Sequence, residues 1–129
     1  ENIVSRAVME GVIFSLKDAL EAVENLGVQL NEVWATGGGA RSDLWRQMLA
    51  DVLGLPVRRT KVDEGPAYGA ALLGGVAAGV YDDIAEACSR IEVRDEVNLP
   101  NSRNTAAYQH YLELYRDLYK RTRDLMEQL

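Results

Sequence analysis

Apolar residues recur along the first part of the chain at helical spacing. Val4, Val8, Val12, Leu16, Ala19 and Val23 fall three or four positions apart, and Ala7, Phe14, Leu20 and Leu26 widen the stripe. Arg6, Glu10, Lys17, Asp18, Glu21 and Glu24 lie mostly on the other side. The pattern predicts a long helix over 3–25, stopped by Asn25 and Gly27. Gly11 inside it costs about 1 kcal/mol against Ala, which close packing against a neighbour explains, with room for a ligand as the alternative. The period then shortens. Glu32-Val33-Trp34-Ala35-Thr36 reads as a strand, and Gly37-Gly38-Gly39 joins it to a second helical stripe of Leu44, Met48 and Val52 with Trp45, Leu49 and Leu53. Ser42 suits the N-cap of that helix, Asp43 complements its positive end, and Gly54 and Pro56 close it.

Val57-Arg58-Arg59-Thr60 predicts a second strand, and Lys61 to Gly65 a polar linker. Pro66 opens a helix over roughly 66–78 whose glycines at 69, 74 and 75 lower its propensity, so packing must hold it. Asp83 and Glu86 have capping-box spacing for a short helix to about Ser89. Ile91 to Val97 alternates weakly and is compatible with extended chain, and Asn98 to Asn104 reads as a loop. From Thr105 the stripe Tyr108, Tyr111, Leu112, Tyr115, Leu118, Tyr119, Thr122, Leu125, Met126 and Leu129 predicts a second long helix. It lacks clean heptads, which favours a docked amphipathic helix over a coiled coil.

Two helix-to-strand connections imply α/β layering with two adjacent parallel strands. Two strands flanked by helices normally belong to a larger sheet. The sequence also opens at Glu1-Asn2-Ile3-Val4, inside a helical repeat. Both features create the expectation of a piece of a larger unit.

Composition narrows the function classes. The chain has 129 residues with a net charge of −6, and no basic cluster with interleaved aromatics, which argues against nucleic-acid binding. Cys88 has no partner for an intrachain disulfide, a composition compatible with the cytoplasm. His110 stands alone, which leaves no case for zinc. No apolar run has the length of a membrane span.

The glycine turn carries the candidate chemistry. A strand, a glycine turn and a helix N-terminus can hold a phosphate through backbone N–H groups and the helix dipole, and the same residues also make a plain tight turn. Neither Gly-x-x-x-x-Gly-Lys-Ser/Thr nor Gly-x-Gly-x-x-Gly is present, and the turn has no lysine. Arg41 supplies a positive charge there unless it faces solvent, and Ser42 serves at least as a cap. Asp43, Asp63 and Glu64 read as a helix-start charge and a solvated loop in preference to general bases or Mg2+ ligands. Trp45 reads as core, and Cys88 with His110 makes no dyad. No catalytic constellation and no metal site is assigned.

Two motifs at a fixed separation then carry a family resemblance. The run from Thr36 through Gly37-Gly38-Gly39-Ala40-Arg41-Ser42-Asp43-Leu44-Trp45 to Val57, and the run Glu64-Gly65-Pro66-Ala67-Tyr68-Gly69-Ala70-Ala71 to Gly79, resemble the C-terminal nucleotide-binding part of the FGGY carbohydrate kinases. The helix from Arg6 to Ala19 and the tyrosine-rich terminal helix fit as well. Ser42 to Gln47 and Glu64 to Ala71 look most like the xylulose kinase branch. Glycerol kinases tend to carry Thr-Thr-Ala-Leu-Gly after the glutamate and Asn at the position of Ser42.

The resemblance implies an α/β fold: an incomplete actin-like ATPase (ribonuclease H-like) domain, with a long helix–strand–helix–strand–helix core plus a C-terminal helix. It implies two domains around a cleft in the intact enzyme, with sugar bound mainly by the first and ATP with Mg2+ mainly by the second. Residues 1–80 would be a partial nucleotide-binding core and 81–129 a C-terminal helical extension packed on the same domain. Three antiparallel strands that precede the first helix of this fold, and the N-terminal sugar-binding domain with its catalytic aspartate, would lie outside the chain. Carried over by position, Gly37, Gly38 and Gly39 resemble the turn whose backbone approaches the nucleotide phosphates. Arg41 and Ser42 resemble residues beside the adenosine, and Gln47 and the Ala67, Gly69, Ala70 surface lie toward the nucleoside. Glu64-Gly65 would position the last core helix. The implied reaction transfers the γ-phosphoryl group of ATP to a ketopentose, D-xylulose, giving xylulose 5-phosphate. The chain alone is expected to be inactive and to self-associate through an uncovered sheet edge and the face of helix 3–25. The alternatives are another pentose or polyol kinase of the family, or a non-catalytic nucleotide-sensing or assembly module on the same fold.

Overall fold

In the computed structural model, which describes residues 3–63 and 65–128, the N-terminal stripe forms a single helix, α1 (Ile3–Asn25). Expectations placed on Glu1, Asn2, Glu64 and Leu129 lie outside the described residues. Strand β1 (Val33–Ala35) leads into the glycine turn, which winds into a 3-10 helix over Gly38–Arg41 before α2 (Asp43–Leu53) begins. Ser42 caps α2 as its sequence suggests, its hydroxyl accepting from the Trp45 N–H at 3.3 Å. Gly54 ends the helix in the left-handed region at φ 74°.

Strand β2 (Val57–Thr60) returns parallel to β1, with Val33 opposite Val57 and Ala35 opposite Arg59. Helices α3 (Gly65–Ala77) and α4 (Ile84–Ser89) follow and pack on each other. Gly75 is needed there, because a Cβ at that position would stand 2.7 Å from the Tyr81 ring. The Asp83 side chain accepts from the Glu86 N–H at 2.8 Å, while Glu86 reaches back to the Asp82 N–H at 2.8 Å. This closes the start of α4.

The segment after residue 80 is not helical throughout. Strand β3 (Val93–Asn98) pairs antiparallel with β2, and the sheet has the order β1-β2-β3. Arg94, Asp95 and Glu96 are exposed on this edge strand, and their charge hides the alternation from a sequence reading. Helix α5 (Ser102–Met126) also starts earlier than Thr105. Asn101 caps it by accepting from the N–H groups of Arg103 and Asn104 at 3.1 and 3.3 Å, so three residues expected in a loop join the helix.

The core lies between the sheet and a layer of α1, α2 and α5. Ile13 and Phe14 from α1, Met48, Leu49, Val52 and Leu53 from α2, Val57 from β2, and Tyr108 and Leu112 from α5 are buried together. Phe14 meets the rings of Tyr108 and Tyr115 at 6.1 and 5.5 Å. This is the docked arrangement expected of the terminal helix. The stripe of Val4, Val8, Val12 and Leu16, in contrast, faces away from that core, with Val4 and Val8 68% and 64% exposed.

Asp51, only 3% exposed, ties α2 to the start of α5. Its carboxylate accepts from Asn101 N–H and Asn104 Nδ2 at 2.8 Å each and from Gln47 Nε2 at 2.9 Å. Asp51→Ala strands these donors in a buried place, and we expect it to cost about 2–3 kcal/mol. Urea unfolding of wild type and variant measures this; a midpoint unchanged within error contradicts the assigned role.

Candidate functional site

Parallel strands place their C-terminal ends at one edge of the sheet, and in open α/β sheets the loops there form the ligand crevice. Here those loops are the glycine turn after β1 and residues 61–63 after β2, with Gly65 at the start of α3. They touch directly. Thr36 Oγ1 lies 3.3 Å from the carbonyl oxygens of both Val62 and Asp63. Gly65 abuts the Thr36 methyl so closely that a Cβ there would collide with it. Gly65 is therefore fixed by close approach between the two turns.

The three glycines have different reasons to be glycine. Gly37 sits at φ 81°, a conformation that L side chains rarely adopt. A Cβ on Gly38 would meet nothing within 4 Å, and one on Gly39 would rest against the Trp45 indole at 3.5 Å, an ordinary contact. The packing of the chain therefore leaves Gly38 open.

Arg41 stands at the end of the turn with its side chain 64% exposed, donating from Nε to Asp63 Oδ2 at 3.0 Å. Asp63 also receives both ends of Arg59, whose Nη2 lies 2.8 Å from Oδ1. Asp63 is thus a clamp between the two loops, not the solvated loop charge that its neighbourhood in the sequence suggests. Chiefly the hydrogen bonds from Arg59, with Arg41 adding to them, hold its carboxyl below the usual carboxylate range. Ser42 is adjacent, its hydroxyl engaged as the cap of α2.

The structure brings Gly37, Gly38, Gly39, Arg41 and Ser42 together at one turn. Gln47 lies further along α2, where its side chain bonds Asp51, Asn98 and the Leu99 carbonyl at 2.9, 3.3 and 2.9 Å. A cavity of about 210 Å³ lies on the far face of the sheet, lined by Trp34, Thr36, Thr60, Tyr68, Gly69 and Leu72 among others. Gly69 is the member of the Ala67, Gly69, Ala70 surface that lines it. Trp45, expected in the core, is half-buried against it and covers Gly39. The sequence reading missed Arg59, Thr36 and Arg46 as parts of the site. The last is a buried arginine whose guanidinium reaches the turn at Ala40.

Among the described residues no group of three or more His, Cys, Asp or Glu could hold a metal ion. Asp63 is committed to two arginines, and Asp43 to Arg46 and Asn98. These residues do not form a Mg2+ site. A phosphate fits the turn better: it offers an unobstructed glycine and an arginine whose Nη groups have no partner among the described residues. Among the described residues no helix is long and apolar enough to cross a membrane.

Comparison with known proteins identifies the family. Residues 2–78 match the FGGY family of carbohydrate kinases, C-terminal domain. The chain is 40% identical over 126 residues to the xylulose kinase of Escherichia coli, covering 97% of this chain and 26% of that protein. It is 41% identical over 108 residues to the glycerol kinase of Dechloromonas aromatica, covering 81% of this chain and 22% of that protein. The crystal structure of a ligand-bound xylulose kinase from Lactobacillus acidophilus superposes with a TM-score of 0.78 at 30% identity, covering 92% of this chain and 24% of that one. The chain therefore spans about a quarter of the length of the proteins it matches. The α/β architecture is that of the C-terminal domain in the actin-like ATPase fold.

Two outcomes check the site geometry. Gly65→Ala should cost about 1–3 kcal/mol through overpacking against Thr36, and Thr36→Ser, which removes the offending methyl, should recover most of that loss in a thermal melt of the double variant. Because the Asp63 pKa is lowered on folding, its contribution is present above the ordinary carboxylate value and is lost as pH falls through the lowered one. The Arg41 and Arg59 Nε–H resonances should therefore hold steady down to about pH 4 and shift together with Asp63 Cγ below it. Arginine Nε–H shifts that do not follow Asp63 Cγ would contradict the clamp.

Proposed function

The chain belongs to the FGGY family of carbohydrate kinases, and from that membership we propose that it forms the ATP-binding part of a sugar kinase. The reaction proposed for the whole protein is transfer of the γ-phosphoryl group of ATP to D-xylulose, yielding xylulose 5-phosphate and ADP, in the cytoplasm. The observation that carries the reading is the glycine turn at the C-terminal end of β1, with Gly38 unobstructed and Arg41 beside it.

Residues 1–80 supply the nucleotide-binding core in this reading, and 81–129 pack on the same domain. The backbone N–H groups of Gly37, Gly38 and Gly39 face the phosphates, Arg41 and Ser42 flank the adenosine, and Gln47 supports that wall from α2. Phosphoryl transfer depends on positioning and on charge stabilisation more than on covalent chemistry by the protein. The turn contributes positioning. The base that orients the sugar hydroxyl, the Mg2+ ligands and the sugar pocket belong to another part of the whole protein, so the chain alone has no kinase activity. A kinase for another sugar or polyol is the second reading, favoured by the glycerol kinase match. Turnover of the whole protein on D-xylulose against glycerol separates the two.

The exposed stripe of α1 and the β1 edge, which has β2 as its one partner among the described residues, also support self-association of the isolated chain. Light scattering across a concentration series should show a rising mass, and a constant monomer contradicts it. The nucleotide reading is tested by Gly38→Ala. Its Cβ enters open space, so stability should change by less than about 0.5 kcal/mol while ATP affinity in calorimetry falls at least about tenfold. Unchanged affinity would sink the placement of phosphates at this turn.

A further inference from the structure

Arg46 is a charged side chain only 9% exposed, and its guanidinium joins three segments. Nη1 donates to the Ala40 carbonyl at 2.6 Å, Nη2 to Asp43 Oδ1 at 3.1 Å, and Nε to Asn98 Oδ1 at 3.0 Å. Asn98, the last residue of β3, completes the cluster by donating from Nδ2 to Asp43 Oδ1 at 3.0 Å and to Gln47 Oε1 at 3.3 Å. A buried guanidinium persists only where its donors are met, because an unmet one is costly. Here three of them are met, by the Ala40 carbonyl of the glycine turn, by the Asp43 carboxylate and by Asn98 at the end of β3.

Ala40 lies within the 3-10 helix and is 1% exposed. The turn has three consecutive glycines and so has little side-chain packing with which to hold its own shape. Its internal backbone bonds, Ala40 N–H to Gly37 and Ser42 N–H to Gly39, are both 3.1 Å long. The charged bond from Arg46 to Ala40 is the shorter one. Among the described residues, Asp51, the other buried charge on α2, bonds the start of α5 and Gln47 and not the turn. The two buried charges of one helix thus have different direct partners, and Gln47 and Asn98 link them.

We propose that Arg46 and Asn98 are positioning residues that set the shape of the glycine turn for a nucleotide phosphate. The segment after residue 78, outside the family match, thereby takes part in the site through Asn98. This rests on the reading of the turn as a nucleotide contact. Arg46 acts through the Ala40 carbonyl, and Asn98 acts through Arg46.

Residue-resolved amide exchange on the full chain, with and without ATP, tests it. Arg46→Lys and Asn98→Ala should each raise exchange at Ala40 and Ser42 by about tenfold or more relative to amides in the middle of α5. Each should weaken ATP binding as well, with Arg46→Lys retaining more affinity than Arg46→Met. Asp51→Asn, which reaches Arg46 only through Gln47 and Asn98, should raise exchange most at the start of α5 and raise it at Ala40 and Ser42 less than Asn98→Ala does. Unchanged exchange at the turn in both Arg46→Lys and Asn98→Ala overturns the proposal, as does an equal rise across the whole chain, which would mark a purely structural role. A turn loosened as expected in the variants, but showing no ATP-dependent protection in the wild-type chain, instead overturns the nucleotide reading on which the proposal rests.

Discussion

Helix α2 must bury charge together with its apolar residues. Met48, Leu49, Ala50, Val52 and Leu53 build the core between the sheet and the helices α1 and α5, and Arg46 and Asp51 are buried with them on the same eleven-residue helix. Hydrophobic burial alone has no directional preference. The two charges do, because each unmet donor or acceptor would cost more than a typical hydrogen bond contributes. Asp51 therefore fixes where α5 begins, and Arg46 fixes the glycine turn against the end of β3. The apolar stripe decides that α2 is central, and its charges decide what stands around it.

The same logic explains the edge where the candidate site lies. Two parallel strands end side by side, and their following turns are joined by Thr36 against Gly65 and by Asp63 between Arg41 and Arg59. Each of these contacts spans more than twenty residues of sequence except the local Arg59 pair. They give a turn of small residues a defined setting and leave Gly37 and Gly38 facing open space. An anion arriving there would meet the exposed Arg41 guanidinium, whose Nε is held by Asp63.

Local signals in the sequence were strong enough to define most elements. The four-residue recurrence of α1, the Ser42 cap, the glycine stops and the Asp83–Glu86 box are chemistry between neighbours, and the structure follows them. Strand β3 was only weakly legible because its exposed Arg94-Asp95-Glu96 run masks the alternation, and its strand character comes from pairing with β2. The start of α5 depended on which of several polar residues acts as the cap; Asn101 does so while its own N–H is anchored by Asp51, fifty residues away. The resemblance proposes a nucleotide for the glycine turn, and the turn itself was legible. Its supports were not. Asp63 looks in sequence like a solvated loop charge and Arg46 has no distinguishing signal there, and only the tertiary structure gives them partners.

The central claim is that the turn Gly37–Gly39 is where this chain meets a nucleotide. Amide chemical shifts of the full chain followed during an ATP titration test it most directly. The account predicts saturable shifts of Gly37, Gly38, Gly39 and Arg41, with the groove between α1 and α5 around Arg6, Glu10 and Tyr108 unaffected. Shifts confined to that groove, or a glycine turn that does not respond at saturating ATP, would contradict it.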